Sequence, residues 1–573
     1  VFSRPPEARV APERSMAVDP IRMEVFRQRI IGIAEEMGMK MKRAAFSTII
    51  KERDDRSCAF FTPDLDMVAQ ADHLPSHLGL LVHAVRNAIL RIGPENLRPG
   101  DVTIHNDPFI GGSHLPDITT IMPVFVDGEI LAYNAVIAHW TDVGGRAPGS
   151  LAGDAKSVVE EGLRLPPIKM VEGGVVREDL LELILSNVRV PDDIRGDLRA
   201  QLAANRVGEQ RFQELAGKFG KDELKELMAA IIDYSYRRTR QEIGKLPDGT
   251  YAFEDALDDD GNNDDPLPIK VRVDIDGENM KVDFTGTAAQ RVGPVNGVLS
   301  VTHSATYFTL KCLIDPNIPT NSGVFRSVEI IAPPGTIVNA QPPAAVGGGS
   351  LETSQRIVDT LIGCFSQFVP DRMSAAGSGT FNCVTFGGFD PVRDRPFVIL
   401  EQNSGGGGGR KGGDGLKAAR NNISNTPNNP IEVVEAEFPL RVECYELLPD
   451  SGGAGRWMGG LGARKVYRLL ADQTITVLAD RIRTPPWGVL GGEPGRNGWY
   501  AVQGEEGERE IRSKSTTHAR AGEAMIIETT AGGGYGPPEQ RDPEAIEGDL
   551  SAGYVTPEKT ARRYLGCAGG AKD

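Results

Sequence analysis

Three observations predict an α+β protein of several domains. First, two apolar runs, Ile121–Val126 and Ile130–Ala138, flank Asp127-Gly128, the signature of a two-residue β-hairpin turn. Second, Ile194, Leu198, Leu202, Phe212, Leu215 and Phe219 recur at helical spacing, as do Leu224, Leu227, Met228, Ile231 and Ile232. These stripes predict a helical hairpin broken near Gly220. Third, the period falls to two from about Pro268, and short strands then alternate with glycine-rich turns. The expected architecture is an N-terminal metal-binding α/β region with β-hairpins and a helical hairpin, then a β-rich, glycine-rich C-terminal half. Its expected divisions are a disordered lead (1–18), an N-terminal domain (19–245), a β-rich domain (246–345), a glycine-rich mixed α/β domain (346–537) and a tail (538–573).

Composition bounds the function. A chain of 573 residues is long enough for several cores. A net charge of −16 argues against a nucleic-acid partner. The six cysteines are scattered and form no CxxC pair, which disfavours a disulfide framework or thiolate zinc site and suits a reducing cytoplasm. No signal-like apolar segment opens the chain, and no run of 18 or more apolar residues interrupts it. A soluble cytoplasmic protein with no membrane span is expected.

Taken in order, Asp19-Pro20 reads as an N-cap and first helical position, followed by the stripe Ile30, Ala34, Met37, Met41 and Ala45. KERDDRSCAFF (Lys51–Phe61) enters a short strand. A helix over Leu78–Leu90 follows, with His73 and His77 just before it. Asp101–His105 is a strand. After Asp142 a glycine-rich stretch leads to the helical hairpin. The acidic run LDDDGNNDD (Leu257–Asp265) lacks EF-hand spacing and is expected as a solvated loop. Asp276-Gly277 marks a second hairpin, and GGGSLETSQR (Gly347–Arg356) opens an amphipathic helix. NSGGGGGRKGGDG (Asn403–Gly415) lacks the order GxxxxGKS, so a flexible loop or inter-subunit contact is expected rather than a phosphate cradle. The charged tail after about Gly534 is expected to be poorly ordered.

The stretch HNDPFIGGSHLPDITTIMPVFVDGEILAYNAVIAHWTD (His105–Asp142) carries the chemistry. If Val126 and Glu129 flank its turn, His139 falls opposite Pro116, one step from Asp117. His114, Asp117 and His139 then converge at one end of the hairpin. Two imidazoles and a carboxylate suit a divalent metal, although histidine and aspartate at a strand end also occur as plain hydrogen-bonded clusters.

KERDDRSCAFF, HLPSHLG, HNDPFIGGSHLPD, AHWTDVGG, LETSQR, PLRVECYELLPDSGGAGRWMGGLG and TAGGGYGPP together resemble the hydantoinase B/oxoprolinase family, over about residues 19–537. This family includes the smaller subunits of ATP-dependent N-methylhydantoinases and caprolactamase, and subunits of acetone and acetophenone carboxylases. The resemblance implies a metal held by Asp55, His114, Asp117 and His139, with Asp54 the alternative to Asp55. Zn²⁺, Mn²⁺ or Fe²⁺ suits that set. It also implies a separate hydantoinase A-like partner that binds ATP, hence a hetero-oligomer. The implied activity is opening of a hydantoin- or lactam-like cyclic amide, phosphorylated on the partner and hydrolysed here with metal-activated water. Alternatives are an acetone- or acetophenone-type carboxylase subunit and a non-catalytic scaffold. His73 and His77 are candidate bases or phosphate ligands. Asp107 and Asp142 are candidate supports for the imidazoles. Cys58 reads as a packed strand residue rather than a nucleophile.

Overall fold

The computed structural model describes residues 18–71, 73–420 and 422–564. The lead over 1–17 and the last residues, 565–573, lie outside that range. The expected mixed α and β architecture is observed, with four largely antiparallel sheets.

The first sheet contains β1 (Arg56–Phe61), β2 (Met67–Gln70), β3 (Val102–His105), β4 (Asp117–Val126), β5 (Glu129–His139), β6 (Ile168–Glu172) and β7 (Val175–Val176). Its spatial order is β2-β1-β5-β4-β3-β6-β7. Alternation along the strands feeds two cores. Ala59 and Phe61 of β1, and Tyr133, Ala135 and Ile137 of β5, enter one core. Cys58 and Phe60, with Ala132, Val136 and Ala138, enter the other.

Helix α1 (Pro20–Ala44) begins as its sequence dictates. The Asp19 carboxylate accepts from the Ile21 N–H at 2.9 Å, and Pro20 takes the first helical position. Its stripe Phe26, Ile30, Ala34, Met37 and Met41 is fully buried against the Cys58/Phe60 face of the sheet. The long hairpin α3 (Pro191–Phe219) and α4 (Lys221–Ile243) covers the same face and breaks at Gly220, whose φ is 79°. Between α1 and this hairpin in sequence lies α2 (Leu80–Ile92), which packs on the opposite face with α5 (Leu299–Leu313) and α6 (Ser354–Phe365). Phe212 of α3 stacks on Phe60 with ring centroids 5.5 Å apart, joining the helical layer to the sheet.

The second sheet joins Gly249–Leu257, Leu267–Asp276, Asn279–Asp283 and Val328–Ile331. Its tight turn is Gly277-Glu278, one residue later than expected, because Asp276 still pairs with Asn279. The last two sheets draw on residues 383–528 and share a core that includes Phe386, Tyr467, Ile475 and Tyr500.

Helix α6 is amphipathic, as expected, yet every one of its residues is buried, because it threads between the second sheet and α5 and its Arg356 and Asp359 enter buried ion pairs. Three expectations are corrected. The acidic run is not a solvated loop throughout. Asp258, Asp259 and Asp260 are no more than 2% exposed. Asp258 accepts from the N–H groups of Ile482, Arg483 and Thr484, and Asp259 lies 3.5 Å from buried Lys514. The glycine run is not a flexible loop. Gly406, Gly407 and Gly409 are buried in a layer of crossing backbones, where Gly460 donates to Gly407 and Gly532 donates to Gly460. A Cβ on Gly532 would lie 1.9 Å from the Gly407 carbonyl oxygen, so only glycine permits this approach. Finally, the tail is ordered through Tyr564, with helices over Pro543–Ser551 and Pro557–Arg563 tied down by Arg541 between Asp414 and Asp549.

Candidate metal centre

The hairpin turn is at Asp127-Gly128, with Val126 opposite Glu129. The register does not run straight to the far end. A bulge between Val124 and Phe125 shifts it by one, so His139 faces Asp117 itself rather than Pro116. Strand β1 lies on the other side of β5 and extends the row. Arg56 pairs with Ala138, and the His139 N–H donates to the Asp55 carbonyl at 3.1 Å. Asp55, His139 and Asp117 therefore stand side by side at one end of three adjacent strands. His139 shares the face of Tyr133, Ala135 and Ile137, the face toward α2.

His114 joins them through a tight turn in which the Asp117 N–H donates to the His114 carbonyl at 3.2 Å. The Gly111-Gly112 pair before it passes against α2. Gly111 has a φ of 123°, and a Cβ there would sit 2.6 Å from the His83 backbone. The Ser300 hydroxyl of α5 donates to the Gly112 carbonyl and fixes the same loop. His77 arrives from the 3₁₀ turn Pro75–His77 that leads into α2.

These groups are buried and mutually close. Asp55, His77, His114, Asp117 and His139 are each no more than 4% exposed. His114 Nδ1 is 3.1 Å from Asp117 Oδ2, and the His114 and His139 ring centroids are 5.0 Å apart. The Ser113 hydroxyl donates to Asp117 Oδ2. His77 Nδ1 meets the Ser57 hydroxyl at 3.1 Å, with its Nε2 3.8 Å from Asp117 Oδ2. Asp55 Oδ1, Asp117 Oδ1, His114 Nε2 and both His139 nitrogens have no hydrogen-bond partner. Buried polar atoms are normally satisfied. Unsatisfied ligand atoms on four neighbouring buried side chains are what a divalent cation would satisfy. One ligand atom each from His114, Asp117 and His139 lies within 4.8 Å of the others, and the same holds for Asp55, His77 and Asp117. Two imidazoles and two carboxylates fit the N/O chemistry expected from the sequence.

The same groups are electrostatically linked. Burial alone would depress the His114 imidazole, but the Asp117 and Asp55 carboxylates outweigh it and hold its pKa above the ordinary histidine value. Burial would raise Asp117, yet His114 and His77 hold it well below the carboxylate range. His139 is lowered to about 4, chiefly by burial, so it is a neutral imidazole. Glu161, 1% exposed, is pushed up to about 7 by burial, partly offset by the Val346 and Gly347 N–H groups that donate to it.

The other candidates fall elsewhere. Asp54 pairs with Lys42 at 2.7 Å and Arg56 at 3.1 Å, so Asp55 is the aspartate in the cluster. His73 is not brought to it. Its ring packs on Gly38 of α1, on the other face of the sheet, with Nε2 3.3 Å from Glu35. Asp107 caps the turn Pro108–Ile110 by accepting from the Phe109 N–H. Asp142 accepts from the Gly144, Gly149 and Arg189 N–H groups and clamps the glycine-rich loop. Neither orients an imidazole. Cys58 packs in the helical core, its thiol pushed up to about 12 by burial. Sequence reasoning missed Ser57, Ser113 and Glu161. Ser113 directly precedes His114, which is the one available signal; nothing local marks the other two.

A small cavity opens beside the cluster, lined by Ser76, His77, Ser113, Asp117, Ser350 and Ser354 together with Leu80, Val301 and Ile423. The arrangement places a candidate cation site, an imidazole and several hydroxyls around one small space.

Comparison with known proteins bears on this site. The family model for hydantoinase B/oxoprolinase matches residues 19–538. The putative B-type subunit of a D-/L-hydantoinase from Pseudomonas sp. (strain NS671) is 34% identical over 565 residues, covering 96% of this chain and 95% of that one. The 5-oxoprolinase of Dictyostelium discoideum is 33% identical over 527 residues, spanning 91% of this chain but 40% of that protein. The crystal structure of ATP-dependent caprolactamase from Pseudomonas jessenii superposes with a TM-score of 0.91 at 28% identity, over 97% of this chain and 98% of that one. The chain belongs to the hydantoinase B/oxoprolinase family.

Proposed function

We propose that this chain is the metal-bearing subunit of an ATP-dependent amidohydrolase that opens a hydantoin- or lactam-like ring. The observation that carries the reading is the set of orphaned ligand atoms on Asp55, His114, Asp117 and His139 beside a small cavity. When bound there, Zn²⁺, Mn²⁺ or Fe²⁺ supplies Lewis acidity.

The chain's own residues do the positioning and the proton work. Ser113 occupies Asp117 Oδ2 and leaves Oδ1 as a ligand atom. His77, anchored through Nδ1 on Ser57, lines the cavity and takes or gives the proton at Nε2.

An amide resists attack because its resonance is lost on the way to a tetrahedral centre. Phosphorylation of the amide oxygen removes that obstacle by creating a good leaving group, and the ATP-dependence named for the caprolactamase supports such a step. We assign it to a hydantoinase A-like ATP-binding partner in a hetero-oligomer. Two comparisons support a partner. The Pseudomonas sp. relative is named as one component of a hydantoinase of several chains, and the D. discoideum 5-oxoprolinase is much longer than the region this chain matches. The described cysteines are unpaired, which suits the cytoplasm. No helix among the described residues is long and apolar enough to cross a membrane.

The test is turnover by the chain with its ATP-binding partner, ATP and a panel of hydantoins and lactams. Ring-opened product without added bicarbonate is the expected result. Product that forms only with bicarbonate, and is a carboxylated ketone, would replace the hydrolase by a carboxylase.

A further inference from the structure

Arg53, two residues before Asp55, is fully buried. Its Nη1 donates to the Leu400 carbonyl at 2.9 Å and its Nη2 to the Thr426 hydroxyl at 3.4 Å, while Nε has no partner. Arg420 lies on the other side of Thr426. Its Nε donates to the Thr426 carbonyl at 3.0 Å, and its Nη2 donates to the Gln402 carbonyl and to Asn428 Oδ1. Among the described residues neither guanidinium forms an ion pair. The nearby acid, Glu401, is committed to Lys465 at 2.8 Å, to the Tyr467 hydroxyl and to Asn429. Burial, with Arg53's charge adding to it, lowers Arg420 to about 9. Positive charge on buried Arg53 beside half-buried Arg420 is costly unless an anion accompanies it.

A cleft beside Arg420 has the lining such an anion needs. Ser378, Thr380, Ser404 and Ser424 line it and no carboxylate does; the Thr380 hydroxyl accepts from the Asn382 and Asp480 N–H groups, the Ser378 hydroxyl donates to the Thr380 carbonyl at 3.5 Å, and the Ser404 hydroxyl donates to Asn428 Oδ1 at 3.4 Å. Ser424 is 9% exposed, and its hydroxyl has no partner. This cleft backs onto the cavity of the metal centre. Ser354 and Ile423 line the one, and their neighbours Gln355 and Ser424 line the other.

We propose that this cleft is an oxyanion site for phosphate or a phosphorylated group, with Arg420 and the Ser424 hydroxyl as contacts and Arg53 as the charge behind them. Guanidinium and hydroxyl donors suit a tetrahedral oxyanion. The site itself is argued from charge and geometry. Its use in ring opening, as a seat for the phosphoryl group next to the metal centre, rests on the function proposed above.

The experiment is calorimetric titration of the chelator-treated chain with inorganic phosphate at constant ionic strength. Chelation removes any phosphate bound through a metal. The wild type should bind phosphate, with sulfate competing and chloride not. Arg420→Gln should weaken binding at least tenfold, whereas Arg22→Gln, at an exposed position, should not change it. Crystals of the wild type soaked in tungstate give a second measurement that needs no variant. Anomalous density in the cleft supports the site. No phosphate binding by the chelated wild type, equal binding by Arg420→Gln, or density only elsewhere overturns it. A wild type that opens rings but binds no phosphate would refute this site and leave the hydrolase reading standing. Phosphate binding without ring opening would do the reverse.

Discussion

Asp117 and His139 face each other across β4 and β5 because a bulge between Val124 and Phe125 shifts the register by one residue. Pairing at the turn alone would set His139 opposite Pro116. Opposed residues in an antiparallel pair lie close together on one face, whereas a one-residue slip moves a side chain to the other. The bulge thus determines whether the imidazole and the carboxylate can hold one ion.

Metal content tests this pairing. The chain should hold about one divalent ion, and His139→Ala should weaken its affinity by more than roughly 100-fold, since a direct ligand exceeds the range seen for supporting residues. Ser113→Ala, which removes the hydroxyl on Asp117, should weaken affinity by about tenfold with little change in Tm. Equilibrium dialysis with elemental analysis measures both. Equal metal content in the wild type and His139→Ala would remove His139 from the site.

The glycine layer makes a stability prediction with a built-in contrast. Gly532→Ala places a Cβ 1.9 Å from a backbone oxygen that has no room to move. We expect it to abolish folding, or to cost more than about 4 kcal/mol. Gly217→Ala, in α3 with nothing within 4 Å of the new Cβ, should stabilise by about 0.5–1 kcal/mol. Denaturant melts of the two variants decide the matter. A tolerated Gly532→Ala would contradict the close-packed layer.

Glu352 supplies a pH dependence. It is fully buried, and its carboxyl is raised to about 8, mainly by burial and further by Asp480, against the Thr380 hydrogen bond. The folded state therefore binds this proton more tightly than the unfolded chain does. The group's contribution is fully present below the unfolded pKa of about 4.5 and declines as pH rises toward about 8. Glu352→Gln does not titrate, so its stability relative to wild type should grow from pH 5 to pH 8 and level off above. A constant difference across that range would mean that Glu352 is ionised in the fold.

Local pattern made part of this molecule legible. The Asp127-Gly128 turn and the α3–α4 break at Gly220 follow from short-range spacing, which also brings His114, Asp117 and His139 to one end of the hairpin, whereas the facing of Asp117 and His139 needs the bulge. What was illegible depends on distant packing. Asp55 reaches the site because β1 pairs with β5, and only family resemblance pointed to it. His77 and His73 are four residues apart with the same local look, yet Ser57 draws one to the cavity and Gly38 admits the other to the opposite face. Glycine composition is equally compatible with a loose loop and with backbones packed in contact; the partners of Gly407 at Gly460 and Gly532 settle which. Asp258 looks solvated until its donors Ile482, Arg483 and Thr484, some 220 residues further along, fold over it.

The central claim is that ring opening depends on the Asp117 carboxylate. The most direct measurement follows phosphate release and ring-opened product together, in the complex with the ATP-binding partner, for the wild type and Asp117→Asn. Asparagine keeps the volume and the neighbours, but a neutral amide is a poor ligand for a cation. The variant should fold, keep cleaving ATP on the partner, and lose ring opening by about 1,000-fold or more. Ring opening by Asp117→Asn at the wild-type rate would contradict the account, since the cluster could then be no more than a structural site.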